Sequence, residues 1–84
     1  MMANIDIFNE VVAAIRQETD NEDIDIENET TAVEIPGWDS LAHVRIVLNI
    51  EVRVGISIDI SDTYSAANVG DLVELVRARM KAKS

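Results

Sequence analysis

The sequence predicts an all-α fold: a small bundle of three main helices and one short helix, with a long first loop. Three observations carry this. Apolar residues recur at three- and four-residue steps in three separate segments. The stretch between the first two is acidic and has no such period. The one alternating run, through Ile56, Ile58 and Ile60, has no second strand to pair with, and an isolated strand is not stable.

In "NIDIFNEVVAAIRQE" the stripe Ile5, Phe8, Val11, Val12 and Ile15 predicts an amphipathic helix over about residues 4–17. Residues 18–36, "ETDNEDIDIENETTAVEIP", read as loop, with Ile24, Ile26, Val33 and Ile35 as its pins to the core. "SLAHVRIVLNIEVRVG" is denser in apolar residues and predicts a helix over residues 40–54, stopped by Gly55. "ISIDISDTYSAA" predicts an extended segment running into a short helical turn near residues 61–66. In "NVGDLVELVRARM" the residues Val69, Leu72, Val73, Val76 and Met80 stripe a last helix over residues 69–82. Asn68 is its N-cap, and Asp71 stands three residues later in capping-box position.

The 84 residues make a single domain, 1–84, small enough to bury only about 60–65% of its unfolded surface. With no Cys there is no disulfide, thiolate nucleophile or Cys-type metal site, and one His excludes a multi-histidine zinc site. "MMANIDIFNE" has no basic leader before an apolar run, and no apolar stretch is long enough to span a bilayer. The expectation is a cytoplasmic protein. Residues 1–76 hold all 16 acids against three bases (Arg16, Arg45, Arg53), a net charge of −13. Such a body repels nucleic acid and anionic membranes and attracts basic docking surfaces. The tail "RARMKAK" fits the end of a helix, where cations complement the negative pole of its dipole, better than a nucleic-acid arm.

Three candidate sites follow. "DIDIENETTAVE" places acids at positions 1, 3, 5, 7 and 12 of a would-be calcium loop. Position 6 is Asn28 rather than Gly, and Pro36–Gly37 stop the exiting helix, so a solvated acidic loop is the better reading. Asp39, Ser40 and His43 superficially echo a serine hydrolase. A triad needs its members on separate elements converging on a walled pocket, whereas these share one turn of one helix. His43 therefore reads as an exposed surface residue that contacts a partner. The third is Ser40 in "IPGWDSLAHV". Asp39 already fits the cap, so the Ser40 hydroxyl is left free in the first turn. "PG" sets a sharp entry, and Trp38 and Leu41 flank it as apolar anchors. A phosphodiester there would be stabilised by backbone N–H groups and the helix dipole. No base is required in this chain if another enzyme activates the hydroxyl.

These residues resemble the modification region of acyl carrier proteins, whose Asp-Ser-Leu motif carries a 4′-phosphopantetheine arm. The likeness runs from "GWDSLAHVRIVLNIEVRVGISID" to nearly the whole chain: its length, its acidity, the long first loop, and a last helix opening "NVGDL". It implies a four-helix carrier-protein bundle and a non-enzyme. Ser40, between Asp39 and Leu41, would receive phosphopantetheine from coenzyme A through a magnesium-using phosphopantetheinyl transferase. Acyl-activating or acyl-transferring enzymes would then charge and unload the thiol of a monomeric shuttle. Trp38, His43, Val44, Arg45, Asn49, Arg53 and Ala66 are the partner-facing candidates.

The departures are specific. An acidic stripe is usual on the second helix of fatty-acid-synthesis members, yet the i, i+4, i+8 positions here are Arg45, Asn49 and Arg53, and Glu51 is that helix's one acid. Either the arginines pair with acids of the long loop, or the partners carry a complementary pattern and serve a specialised pathway; the second is the expectation. Val54 stands where a core Phe is common, and Ala66 where a bulkier residue is expected beside the arm, leaving room for another acyl group or a shallower pocket. An aminoacyl or peptidyl carrier loaded by an adenylating enzyme is the alternative, and a plain interaction module with Ser40 unmodified is the third reading.

Overall fold

The computed structural model describes residues 6–83. In chain order the elements are α1 (Ile7–Thr19), a 3-10 turn (Ala32–Glu34), α2 (Ser40–Val54), α3 (Ile60–Thr63) and α4 (Val69–Lys83), and no strand occurs among the described residues. Asp6 caps α1 by accepting from the Asn9 backbone N–H at 3.1 Å, so the helix opens at Ile7. Ile5 and the rest of the start expected near residue 4 lie outside the described residues. The helix runs on to Thr19, where Asp20 turns left-handed (φ 59°) and returns its N–H to the Arg16 carbonyl.

The core is built from short branched side chains. Val11, Ala14 and Ile15 of α1, Ile46 and Ile50 of α2 and Val76 of α4 are each 0% exposed. α1 packs chiefly on α2 and α4, which makes it the central helix. Each fully buried Ile or Val contributes about 1.5–3 kcal/mol against exposure. Val54 is buried at the end of α2 and Gly55 follows it in left-handed conformation, donating its N–H to Glu51.

The long loop is tied down at four places. Arg16 of α1 donates twice to the Ile24 carbonyl, at 3.1 and 2.8 Å. Ile26 and Ile35 are buried, and Ile24 packs against the core. Backbone N–H groups of Val69 and Gly70, in the first turn of α4, donate to the carbonyls of Thr30 and Asn28, each at 2.8 Å. Asn21 reaches across to the Pro36 carbonyl at 2.6 Å. Val33, expected as a fourth apolar pin, is instead 95% exposed. It sits in the 3-10 turn, whose Thr31–Glu34 capping box fixes the backbone with Val33 outward.

α3 is a single turn, Ile60–Thr63, where the pattern suggested residues 61–66. Asp59 starts it by accepting from both the backbone N–H and the hydroxyl of Ser61, and Tyr64 and Ser65 continue only as a turn. At α4, Asn68 accepts from the Asp71 N–H at 2.8 Å, and the Asp71 carboxylate reaches back one residue further than a capping box would, to the Ala67 N–H at 3.0 Å.

Gly37 sits at φ +88°, and a Cβ there would meet the Thr19 carbonyl at 3.2 Å; Gly55, at φ +72°, has nothing within 4 Å. Both Gly→Ala substitutions incur backbone strain, about 1–3 kcal/mol, but only Gly37→Ala also pushes on α1. Urea unfolding of the two variants is expected to show the larger loss for Gly37→Ala. Equal losses would mean the Thr19 contact has no energetic weight.

Candidate functional site

The site is assembled where the loop enters α2. Asp39 is in extended conformation and its carboxylate accepts from the Ala42 N–H at 2.8 Å, while its carbonyl takes the His43 N–H. A cap of this kind is worth about 1 kcal/mol. Ser40 is the first helical residue and is exposed. Among the described residues nothing bonds its hydroxyl, and the N–H groups of Ser40 and Leu41 have no acceptor. The result is a free hydroxyl beside two unpaired N–H donors at the positive end of a 15-residue helix.

Behind Ser40 lies a polar relay. The Trp38 indole N–H donates to His43 Nδ1 at 3.1 Å. His43 Nε2 lies 2.7 Å from the Thr63 hydroxyl, which itself donates to the Ile60 carbonyl at 2.6 Å. Since Nδ1 accepts and the Thr63 proton is committed elsewhere, the imidazole is neutral with its proton on Nε2. The His43 ring stacks on Trp38 and Tyr64, with centroids at 5.9 and 4.7 Å. Thus α2, α3 and the loop meet on one side chain. An open recess of about 190 Å³ adjoins it, lined by Trp38, His43, Thr63, Ala66 and Leu72 among others.

Residues 9–76, a span that contains Ser40, match the PP-binding family, described as a phosphopantetheine attachment site. The acyl carrier protein of Thermotoga maritima is 25% identical over 80 residues, which are 95% of this chain and 99% of that one. The solution NMR structure of a holo acyl carrier protein from Geobacter metallireducens superposes with a TM-score of 0.80 at 30% identity, covering 94% of this chain and 91% of the other. The chain belongs to the acyl carrier protein family. Its cofactor is 4′-phosphopantetheine, carried covalently. The start of α2 fits that group: it offers an unpartnered hydroxyl, two free N–H donors for a phosphodiester, and open space around them. Acyl carrier proteins are carriers rather than catalysts and work with enzymes of acyl transfer. No helix among the described residues is long and apolar enough to cross a membrane.

The carrier's other candidate residues divide. Trp38 and His43 are half-buried, and Ala66 lines the recess with them. His43 is therefore not the exposed surface residue its position suggested: it is half-buried, with Trp38 of the loop on Nδ1 and Thr63 of α3 on Nε2. Arg45 pairs with Glu18 at 3.5 Å and Arg53 with Glu10 at 3.1 Å. Their partners belong to α1, not to the loop. Asn49 donates to Gln17 and Glu18 and accepts from Arg53, so it too faces α1. Glu51 takes the Ile58 N–H at 2.6 Å and holds the α2–α3 segment. The outward face of α2 that remains is apolar: Leu41, Val44, Leu48 and Val52, from 36% to 84% exposed. Sequence reasoning singled out only Leu41 and Val44 of that face, because it counted Leu48 and Val52 within the dense apolar run.

Desolvation holds the His43 pKa below its ordinary 6.5. The unfolded chain thus binds a proton more readily, so the relay's contribution to stability is complete above pH 6.5 and is lost as pH falls through the lower folded value. Protonation would also set an Nδ1–H against the indole N–H. Urea unfolding monitored by Trp38 fluorescence is expected to show a destabilisation between neutral and mildly acid pH that His43→Gln lacks. The same acid dependence in both proteins would remove His43 from this role.

Proposed function

We propose that Ser40 is the phosphopantetheine attachment residue and that the whole chain, 1–84, is one monomeric carrier domain acting in the cytoplasm. The observation that carries this is the Ser40 hydroxyl itself, exposed and unpartnered directly after the Asp39 cap. In the transfer from coenzyme A, the serine Oγ–phosphorus bond forms as the bond to 3′,5′-ADP breaks. The hydroxyl proton passes to a base on the phosphopantetheinyl transferase, since the one imidazole nearby is held in the relay. The two unpaired N–H groups of the first turn favour the phosphodiester anion that results. When bound, the group supplies a thiol that holds acyl cargo as a thioester.

The partners belong to a specialised pathway rather than to housekeeping fatty acid synthesis. The α2 arginines are paired with α1, and the helix presents Leu41, Val44, Leu48 and Val52 outward where an acidic stripe would be needed for a strongly basic partner. Trp38 and Ala66 line the recess beside His43.

The test is intact mass after incubation with coenzyme A, magnesium and a broad-specificity phosphopantetheinyl transferase. Wild type is expected to gain one phosphopantetheine and Ser40→Ala none. A folded wild type that gains nothing would leave a plain interaction module. Charging of the product by an amino-acid adenylating enzyme, rather than a fatty-acyl one, would move it to the aminoacyl carriers.

A further inference from the structure

We infer that His43 is a positioning residue for the transfer onto Ser40: its ring holds the Trp38 indole, and with it the two residues that lead to the serine, in the form a phosphopantetheinyl transferase binds. The inference rests on Ser40 as the attachment residue. It adds a side chain that makes no bond to the hydroxyl yet governs how well this chain serves as the transferase's substrate.

Among the described residues the Ser40 side chain has no bond of its own, so its neighbours set its place. Backbone alone holds those neighbours weakly. Gly37 is left-handed (φ +88°), the Trp38 N–H reaches the Ile35 carbonyl at 3.3 Å, and the Asp39 N–H turns back to the Gly37 carbonyl at 3.1 Å. The first bond is long for N–H···O, and the second closes only the smallest kind of turn. His43 supplies what is lacking. Its N–H donates to the Asp39 carbonyl at 2.9 Å, and its Nδ1 accepts from the Trp38 indole N–H at 3.1 Å. One residue of α2 thus grips both residues that precede the serine.

The two grips differ in kind. Any residue of a helix can make the backbone bond, but the indole bond needs an acceptor at that one ring position. The ring is fixed from its far side, with Nε2 2.7 Å from the Thr63 hydroxyl and Tyr64 stacked at 4.7 Å. Nδ1 is therefore aimed at the indole before any partner arrives. Trp38 is half-buried, and without that acceptor its N–H stays unpaired or swings out to water. Swinging out disturbs the segment that Asp39 needs extended for its cap. A chain in that form must return to the held form before the transferase binds it. Apparent KM for the carrier then rises by the inverse of the held fraction, while kcat, set by complexes already formed, does not change.

The experiment measures phosphopantetheine transfer from coenzyme A to the full chain, with magnesium and a broad-specificity transferase, over a range of carrier concentrations. Intact mass reports the product, and Ser40→Ala is the blank. Two variants each keep one arm of the ring. In His43→Asn the amide oxygen takes the place of Nδ1 and keeps the indole bond. In His43→Gln the amide nitrogen takes the place of Nε2 and keeps the Thr63 bond. Each loses one hydrogen bond, so urea unfolding is expected to show both destabilised. KM is expected to rise about fivefold for His43→Gln and to stay within about twofold of wild type for His43→Asn, with kcat unchanged in both. The one indole ¹H–¹⁵N resonance of the chain reports the bond directly. It is expected to move upfield in His43→Gln and to hold its place in His43→Asn. Trp38→Phe removes the same bond from the other end and is expected to match His43→Gln in KM, which decides the matter if a His43 variant does not fold. Absent loading of wild type overturns the attachment reading, and this one with it. Normal loading of wild type, with KM unchanged in Trp38→Phe or in folded His43→Gln, overturns this inference alone. So does a KM raised equally in His43→Asn and His43→Gln, which would make His43 a merely structural residue.

Discussion

Two backbone hydrogen bonds join this molecule's long loop to α4, on the stretch of chain that leads to Ser40. The N–H groups of Val69 and Gly70 belong to the first turn of α4, where a helix leaves its donors without intrahelical partners. Both are satisfied by loop carbonyls, Thr30 and Asn28, at 2.8 Å. The loop thereby caps the helix, and the helix anchors the loop. Gly70 permits the approach: a Cβ there would stand 3.1 Å from both the Asn28 carbonyl oxygen and its Cβ. From this anchor the chain passes through the 3-10 turn to Ile35, buried at 2% exposure, and then to the Gly37 turn against the end of α1. Asp39 can cap α2 only because the backbone arrives there extended. An untethered loop of this length would leave the entry to α2 to chain entropy.

Polar groups do the corresponding work on the other side of Ser40. A small domain has little apolar area with which to fasten a one-turn helix, and α3 contributes only Thr63 to the fully buried set. Its attachment instead uses side-chain chemistry: the Asp59 cap, the Ile60–Thr63 bond, and His43 reaching from α2. Asp59 is fully exposed, and its hydrogen bonds from Ser61 hold its carboxyl below the usual range. Of the two devices, the relay is the one whose contribution declines as pH falls below 6.5.

How much of this was legible in the sequence depends on which atoms do the work. The four helices, the Asp39 cap and the free Ser40 hydroxyl are written in residue types, since periodicity, capping and a Pro-Gly turn each have their own side-chain signature. The loop was harder. Its decisive bonds run through carbonyls of Asn28, Thr30 and Ile24, and a carbonyl carries no residue identity. Val33 misled because apolar spacing in a loop has no fixed period, and a local capping box set its direction. His43 misled for another reason. Its ring nitrogens find partners five residues before it and twenty after it, and only the second crossing of the chain, at Thr63, makes the site interior. The signal that could have found it was the pairing of a lone His with the lone Trp in the same short stretch.

The arrangement of α2 shows why its charge could not be read from the helix alone. Arg45, Asn49 and Arg53 lie on one stripe, and by themselves suggest a cationic face. In the fold Glu18, Glu10 and Gln17 of α1 meet them, and the single acid, Glu51, is spent on the Ile58 N–H. Such half-exposed pairs contribute little to stability, about 0–1 kcal/mol each, but they change what the helix presents. The stripe beside Ser40 is left apolar, through Leu41, Val44, Leu48 and Val52, inside a body of net charge −9. A partner reading that stripe must gain its binding energy from area and shape close to the serine, while the surrounding acidity contributes chiefly to the rate of approach. What α2 presents beside Ser40 is therefore a few apolar side chains, with the pairing between α1 and α2 fixing the charges around them.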